Sequence, residues 1–398
     1  MKAKTYLYYY KTLYLSFLIS LLMFPGKPKL VEKFDDYKKY QMIEKKLSLS
    51  KVASGINFGW GMTFIDDNAL LITEKGGGIL KVNTITGNKT RIKHNLYSSQ
   101  LGKNPFSNGQ GGLLDILFHD GFVYISYSHL SKKNSLSNRN VIYGSTAIAR
   151  GKLVGNEIID LRNLFISSPP SKINKHWGSR IVIKNNYLYA SLGDRGLGMI
   201  AQDPSKHPGS IIRINLDGTH PHDNPKFKEN KKWLPEIYQI GLRNPQGLTI
   251  SPHDNDIYFS QHGPRGGDNF GKIIFGGNLG WKEVAWGGTE YYGKRIGKVP
   301  FNDKFDKPII SWVPSIGLGQ IGFYEGQTFE EWNGDLMCVG TKYGLLLKLN
   351  YEKNKIVKKE ILINDRIGRI RDFEIDKKGD IYIIVDENDA ALWKLSNK

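Results

Sequence analysis

One phrase returns along this chain: a polar or small residue, four or five apolar or aromatic residues, then a turn rich in glycine or serine. It starts at Ala69 (ALLITEKGGGILKVN), Gly121 (GFVYISYS), Asn186 (NYLYASLGDRG), Asn255 (NDIYFSQHGPRGG), Gly334 (GDLMCVGTKYGLLLKLN) and Gly379 (GDIYIIVDENDAALWKL). The spacing is roughly 45 to 80 residues, which suits propeller blades carrying loop insertions. Several occurrences are followed by a second short strand ending near a lysine, as paired strands of one blade would be. No long segment carries the helical i, i+3, i+4, i+7 pattern. The expectation is an all-β chain, a six-bladed β-propeller; a pair of β-sandwiches is the alternative and accounts less well for the period. The 44 glycines and 21 tyrosines fit many short strands joined by tight turns.

The first residues follow a different rule. MKAKTYLYYYK carries three lysines and TLYLSFLISLLMF follows as an apolar run. At about 12 residues that run is short for a membrane span and suits a signal-peptide core. No clear A-x-A cleavage site follows, so an uncleaved N-terminal anchor is the competing reading. The chain divides into a signal peptide or anchor at 1–26, an extension at 27–49 and a propeller catalytic domain at 50–398. The location expected is periplasmic or secreted, with membrane anchoring if the segment is kept.

Lys and Arg number 56 against 38 Asp and Glu, a formal charge of +18. Such a surplus raises nucleic acid or anionic lipid as partners. The lysines are scattered, however, and no helix-turn-helix, RRM-like or zinc-finger pattern accompanies them. A solvated basic surface with no nucleic-acid partner is the expectation. The single cysteine, Cys338, lies in the apolar run DLMCVG and reads as a buried strand residue.

Chemistry concentrates in the loops beside the repeated strands. In HWGSRIVIKNNYLYASLGDRG two apolar runs flank Asn185-Asn186, a hairpin signature. Folding there brings His176 opposite Asp194. A neutral imidazole accepts a proton, and a carboxylate orients it and stabilises the imidazolium; a structural pair at a hairpin end is the plain alternative. Arg243, Lys342, Arg369 and Arg371 form a cationic set. Arg369 and Arg371 alternate and would share one side of a strand. That is costly without an anion between them, either a blade aspartate such as Asp372 or Asp365 or a bound polyanion. The loop from Gln261 to Asn269 is a turn, or a set of carbonyls aimed at a calcium ion.

In order and type, GQGGLLDI, HWGSRIVI…YASLGDRG, PGSIIRINLDGTHPHDNP, IYQIGLRNPQGL, HGPRGGD, GGNLGW and RIRDF resemble the soluble PQQ-dependent aldose (glucose/sorbosone) dehydrogenases. The resemblance runs from about residue 50 to the C-terminus. It implies a propeller holding pyrroloquinoline quinone (PQQ) and Ca2+, with His176 as catalytic base, Asp194 as its partner and Arg243 beside the reactive carbonyl. Gln110, Arg243, Asn244, Lys342, Arg369 and Arg371 match cofactor-binding positions; Gly263 and Pro264 match the carbonyls that hold calcium. It further implies an aldose substrate, oxidised at the C1 hydroxyl to the lactone, and an electron acceptor, a quinone or a cytochrome, for a monomer or homodimer. Two departures stand out. Gln261 and Asn269 occupy places that are often acidic in the family, which puts a second calcium site in question. Two other functions share the fold: a calcium-dependent lactonase, which needs side-chain carboxylates and asparagines on its metal, and a non-catalytic sugar- or protein-binding propeller, which has no need of the His–Asp pair.

Overall fold

The computed structural model describes residues 34–43, 47–96, 105, 107, 109–136, 139–172, 174–227, 232–352 and 355–398. The signal-peptide or anchor reading lies outside these residues. Among them, each repeated phrase is the second strand of its own sheet: Ala69–Glu74, Phe122–Leu136, Tyr187–Leu192, Ile257–Gln261, Leu336–Gly340 and Ile381–Val385. The continuous apolar run now has a cause. These strands are flanked on both sides within their sheets and covered by packed neighbours, so IYFSQ, LMCVG and IYIIV are buried at every position. Cys338 is one of these buried strand residues.

The first strand of each sheet lines the axis: Gly59–Asp66, Leu113–His119, Gly178–Lys184, Pro245–Ile250, Leu318–Phe323 and Ile370–Ile375. They contact one another in cyclic order, and the last contacts the first. The ring is a six-bladed β-propeller, not a pair of sandwiches. Its sixth sheet is completed by Leu47–Ile56, which pairs antiparallel with Ala390–Asn397 and so ties the two ends of the ring together. Gln41–Met42 pairs with Glu360 and Ile361 of the fifth sheet. The end of the stretch read as an extension therefore takes part in the blades.

All six inner strands slip register near their start, between Gly59 and Met62, Leu113 and Ile116, Gly178 and Ile181, Pro245 and Gly247, Leu318 and Ile321, and Ile370 and Asp372. A bulge leaves a residue unpaired and re-aims its side chain. The bulged stretches carry Trp60, Asp115, Arg180, Gln246 and Arg371, which meet at the centre of the ring. Arg180 is 2% exposed. Its Nη1 reaches Asp115 Oδ1 at 2.9 Å and Asp372 Oδ2 at 3.1 Å, and its Nε donates to the Gln246 carbonyl at 2.9 Å. Its guanidinium lies 4.5 Å from the Trp60 ring centroid. One side chain of the third blade thus joins the first, second, fourth and sixth. Burial raises both carboxylates, Asp372 to about 7, against the opposing charge of Arg180.

Candidate functional site

The hairpin turns at Asn185 and Asn186, both at positive φ (52° and 61°), as a two-residue turn of this hand requires. Its ladder runs from Lys184↔Tyr187 to Ile181↔Ala190; the bulge then sets Gly178 opposite Leu192. Two residues further on, His176 Nδ1 meets Asp194 Oδ1 at 2.6 Å. A Cβ at Gly193 would collide with the His176 carbonyl, so glycine is what lets the two loops approach. The expected pair is present and buried.

Asp194 is held on every side. Its carboxylate also accepts the N–H groups of Gly196 (2.7 Å) and Gly198 (3.2 Å) and the indole N–H of Trp281 (2.6 Å). Burial alone would raise its pKa; the bond to His176, that residue's charge, the Gly196 N–H and Arg243 together bring it below the ordinary value. His176 is also lowered, chiefly by burial and further by Arg243, with Asp194 opposing. The imidazole is therefore neutral near pH 7, with Nδ1 committed to Asp194 and Nε2 left to take a proton.

Arg243 completes this cluster. Its carbonyl accepts Asp194 N–H at 2.7 Å, its own N–H donates to Gln261 Oε1 at 2.8 Å, and Nη1 donates to the His262 carbonyl at 3.1 Å. Its guanidinium lies 5.4 Å from the Trp281 ring centroid. Gln110 Oε1 accepts the His176 N–H at 2.8 Å, and Asn244 Oδ1 accepts the Gly178 N–H at 3.2 Å. Gln110 and Asn244 thus brace the hairpin end while lining a neighbouring cavity of about 230 Å³.

That cavity has two characters. One side is the packed cluster of Trp60, Leu114 and Trp177. The rest includes a charged group, Lys75, Arg369, Arg371 and Asp386, whose Arg371 guanidinium lies 5.8 Å from the Trp60 ring centroid. Arg369 and Arg371 do share an anion, but it is neither Asp372, which serves Arg180, nor Asp365. Asp386 receives both, Arg369 Nε at 3.3 Å and Arg371 Nη2 in a shorter contact. The pairing Ile370↔Val385 delivers it. Among the described residues, three buried side-chain donors or acceptors of the cavity lining have no partner: Trp177 Nε1, His262 Nε2 and Arg371 Nε. A buried polar atom left unpaired costs about 1–3 kcal/mol, so their gathering at one cavity points to a ligand that supplies partners.

Lys342 stands apart from this group. It is exposed, its N–H is tied to the Ile316 carbonyl, and its Nζ lies 4.7 Å from the Tyr343 ring centroid. It does not line the cavity.

Gly263 and Pro264 follow the strand Ile257–Gln261 and border a small recess with Arg243 and Trp281; His262 lines both recess and cavity. Their loop is pinned by Asp268, whose buried carboxylate accepts Gly263 N–H (2.7 Å), Ser315 Oγ–H (2.8 Å), Ile316 N–H (2.9 Å) and Leu318 N–H (2.9 Å). Gln261 Nε2 donates to Asn269 Oδ1 at 3.2 Å, while Gln261 Oε1 accepts the Arg243 N–H and Asn269 Nδ2 donates to the Gly267 carbonyl at 2.8 Å. Among the described residues no three His, Cys, Asp or Glu side chains converge as metal ligands. A cation at this loop would draw on main-chain oxygens and on its ligand.

Sequence reasoning missed Lys75, His262, Trp60, Trp177, Gln246 and Asp386. Trp177, Gln246 and His262 lie inside motifs that had been singled out (HWGSR, GLRNPQG, HGPRGGD). Lys75 and Asp386 carried no signal beyond following a repeated strand.

Comparison with known proteins agrees with the fold. The Glucose / Sorbosone dehydrogenase family model matches residues 56–394. The aldose sugar dehydrogenase YliI of Escherichia coli is 29% identical over 350 residues, covering 85% of this chain and 89% of that protein. Quinoprotein glucose dehydrogenase B of Acinetobacter calcoaceticus is 30% identical over 295 residues, covering 67% of this chain and 58% of that protein. The crystal structure of soluble aldose sugar dehydrogenase from Escherichia coli, in its apo form, superposes with a TM-score of 0.79 at 27% identity, covering 88% of this chain and all of the other.

Proposed function

Because the chain belongs to the glucose/sorbosone dehydrogenase family, we propose that it is a PQQ- and calcium-dependent oxidoreductase converting the C1 hydroxyl of an aldose to the lactone. The strongest support is one cavity that joins an aromatic wall, a cationic wall and three unpartnered polar atoms, next to a His–Asp pair. An aromatic wall suits a planar ring system and a cationic wall suits carboxylates. Gln110, Asn244, Arg369 and Arg371 would hold the tricarboxylate, and the carbonyls of Gly263 and Pro264 would hold the calcium ion. PQQ, when bound, supplies the acceptor for the hydride leaving C1, and calcium supplies fixed positive charge.

The chain's own contribution is proton handling and orientation. His176 Nε2 takes the hydroxyl proton, Asp194 stabilises the imidazolium so formed, and Arg243 stabilises negative charge developing beside them. The sugar binds as substrate, and electrons pass on to a quinone or cytochrome. Export through the N-terminal segment belongs to the same proposal, since the oxidation would then take place outside the cytoplasm.

Titrating apoprotein with PQQ, followed by quinone absorbance, tests the assignment. Binding should be tight with calcium and weak with EDTA. Equal binding under both conditions would remove calcium, and no binding under either would remove PQQ. Aldoses are then screened with an artificial electron acceptor.

The pH profile should follow the lowered His176. The base form is required, so kcat/KM should be flat at neutral pH and fall on the acid side with an apparent pKa below 6.5. Asp194 is the group that opposes this lowering, so Asp194→Asn should carry the acid limb to still lower pH. A limb above 6.5 would point to a different base.

A further inference from the structure

We propose that Arg195 is a positioning residue: from outside the cavity it holds His176 and Trp177, so that the base and the aromatic wall keep one setting toward the ligand. This rests on the reading above for the reaction that His176 serves.

Arg195 follows Asp194 in the chain and lines neither the cavity nor the recess beside it. It grips three consecutive residues of the facing loop. Nε donates to the Lys175 carbonyl at 3.1 Å, the main-chain N–H donates to the His176 carbonyl at 3.3 Å, and the guanidinium lies over Trp177, 3.1 Å from its ring centroid. A further bond, from Nη1 to the Gly144 carbonyl at 3.2 Å, anchors the guanidinium to the strand Arg139–Val154 of the second blade. Arg195 is 2% exposed. Burial pulls its pKa down to about 9, against the charge of Asp194, which leaves a cation at neutral pH. The residues it holds need holding. His176 and Arg195 both sit at a φ of 54°, in the left-handed region. A backbone of that kind persists at a residue with a side chain only where the surroundings over-determine it. At His176 the carbonyl is fixed by Arg195 and the N–H by Gln110 Oε1. Trp177 lines the cavity with its Nε1 unpartnered, and the guanidinium covers one face of its ring. Without that guanidinium the Lys175 carbonyl and the ring face both lose their partner, and the segment carrying the base is left to its own strained backbone.

The test compares full-length wild type, Arg195→Gln and Arg195→Lys, loaded with PQQ and calcium and given the aldose that wild type oxidises fastest, with an artificial electron acceptor. Turnover is divided by the PQQ bound, so that loss of folded protein does not enter. Arg195→Gln should lower kcat per bound PQQ by about 10- to 100-fold, the scale of a small misplacement at a reacting centre, with KM for the sugar changed far less. Arg195→Lys keeps the charge without the planar fork and should fall between glutamine and wild type. Wild-type turnover per bound PQQ in Arg195→Gln overturns the assignment; if that variant does not fold, the same result in Arg195→Lys does. Because Arg195 acts on turnover through His176, adding Arg195→Gln to His176→Ala should slow the enzyme scarcely further, and a full second loss overturns that route. Hydrogen–deuterium exchange on the ligand-free chains reads the clamp without activity. The peptide spanning 174–178 should exchange about 10-fold faster in Arg195→Gln, as a locally loosened segment does, while the strand Leu336–Gly340 stays unchanged. Equal exchange at 174–178 overturns the proposal. Wild type that oxidises no aldose, with this exchange pattern intact, overturns the reaction and supports the hold of Arg195 on the loop.

Discussion

Replacing His176 with alanine should cut turnover by about 10²- to 10⁴-fold, the usual scale of general-base loss, with the propeller folded and ligand affinity kept. The side chain lies beside the cavity, while the cationic wall that would grip a polyanion sits on other blades. Asp194→Asn should cost as much or less. The amide cannot stabilise the imidazolium, and it must serve Gly196, Gly198 and Trp281 with one oxygen in place of two. Because base and acid act as a unit, the double variant should be scarcely slower than His176→Ala alone. Single-turnover rates at saturating ligand give the comparison. Additive losses would mean that Asp194 acts by holding its loop and Trp281, and near-normal turnover in His176→Ala would remove it as the base.

Arg180→Met should lower folding stability by about 3–5 kcal/mol, the cost of stranding buried charge when one partner of an ion pair is removed. The substitution leaves Asp115 and Asp372 facing each other at the hub, each wholly or nearly buried. The pH dependence has a definite sign. The folded pKa of Asp372, about 7, lies above that of an unfolded aspartate, near 3.9. Its contribution is therefore fully present below pH ~4 and is lost as pH rises through about 7. Asp372→Asn should flatten that slope, and the deficit of Arg180→Met should shrink on acidification as the stranded carboxylates take up protons. Denaturant midpoints at pH 5 and pH 8 check both. A deficit unchanged between the two would show that lost packing, not stranded charge, is responsible.

The sequence by itself determined the elements whose signals are local. Continuous apolar runs such as IYIIV mark strands covered on both faces, and their period counts the blades. Asn185-Asn186 sets a turn by its tolerance of positive φ, and that turn brings His176 to Asp194. Only the tertiary structure decided what faces the axis. Register slips at the start of each inner strand turn Arg180 and Arg371 toward the centre, and a bulge depends on how a strand meets its partner, which no single run of residues encodes. Asp386, rather than Asp372 or Asp365, lies between Arg369 and Arg371 because a neighbouring strand carries it there. Lys75 lines the cavity, although in the sequence it is marked only by following a repeated strand. Its backbone is held there by main-chain bonds to residues distant in the chain: its N–H donates to the Phe58 carbonyl and its carbonyl accepts the Leu113 N–H.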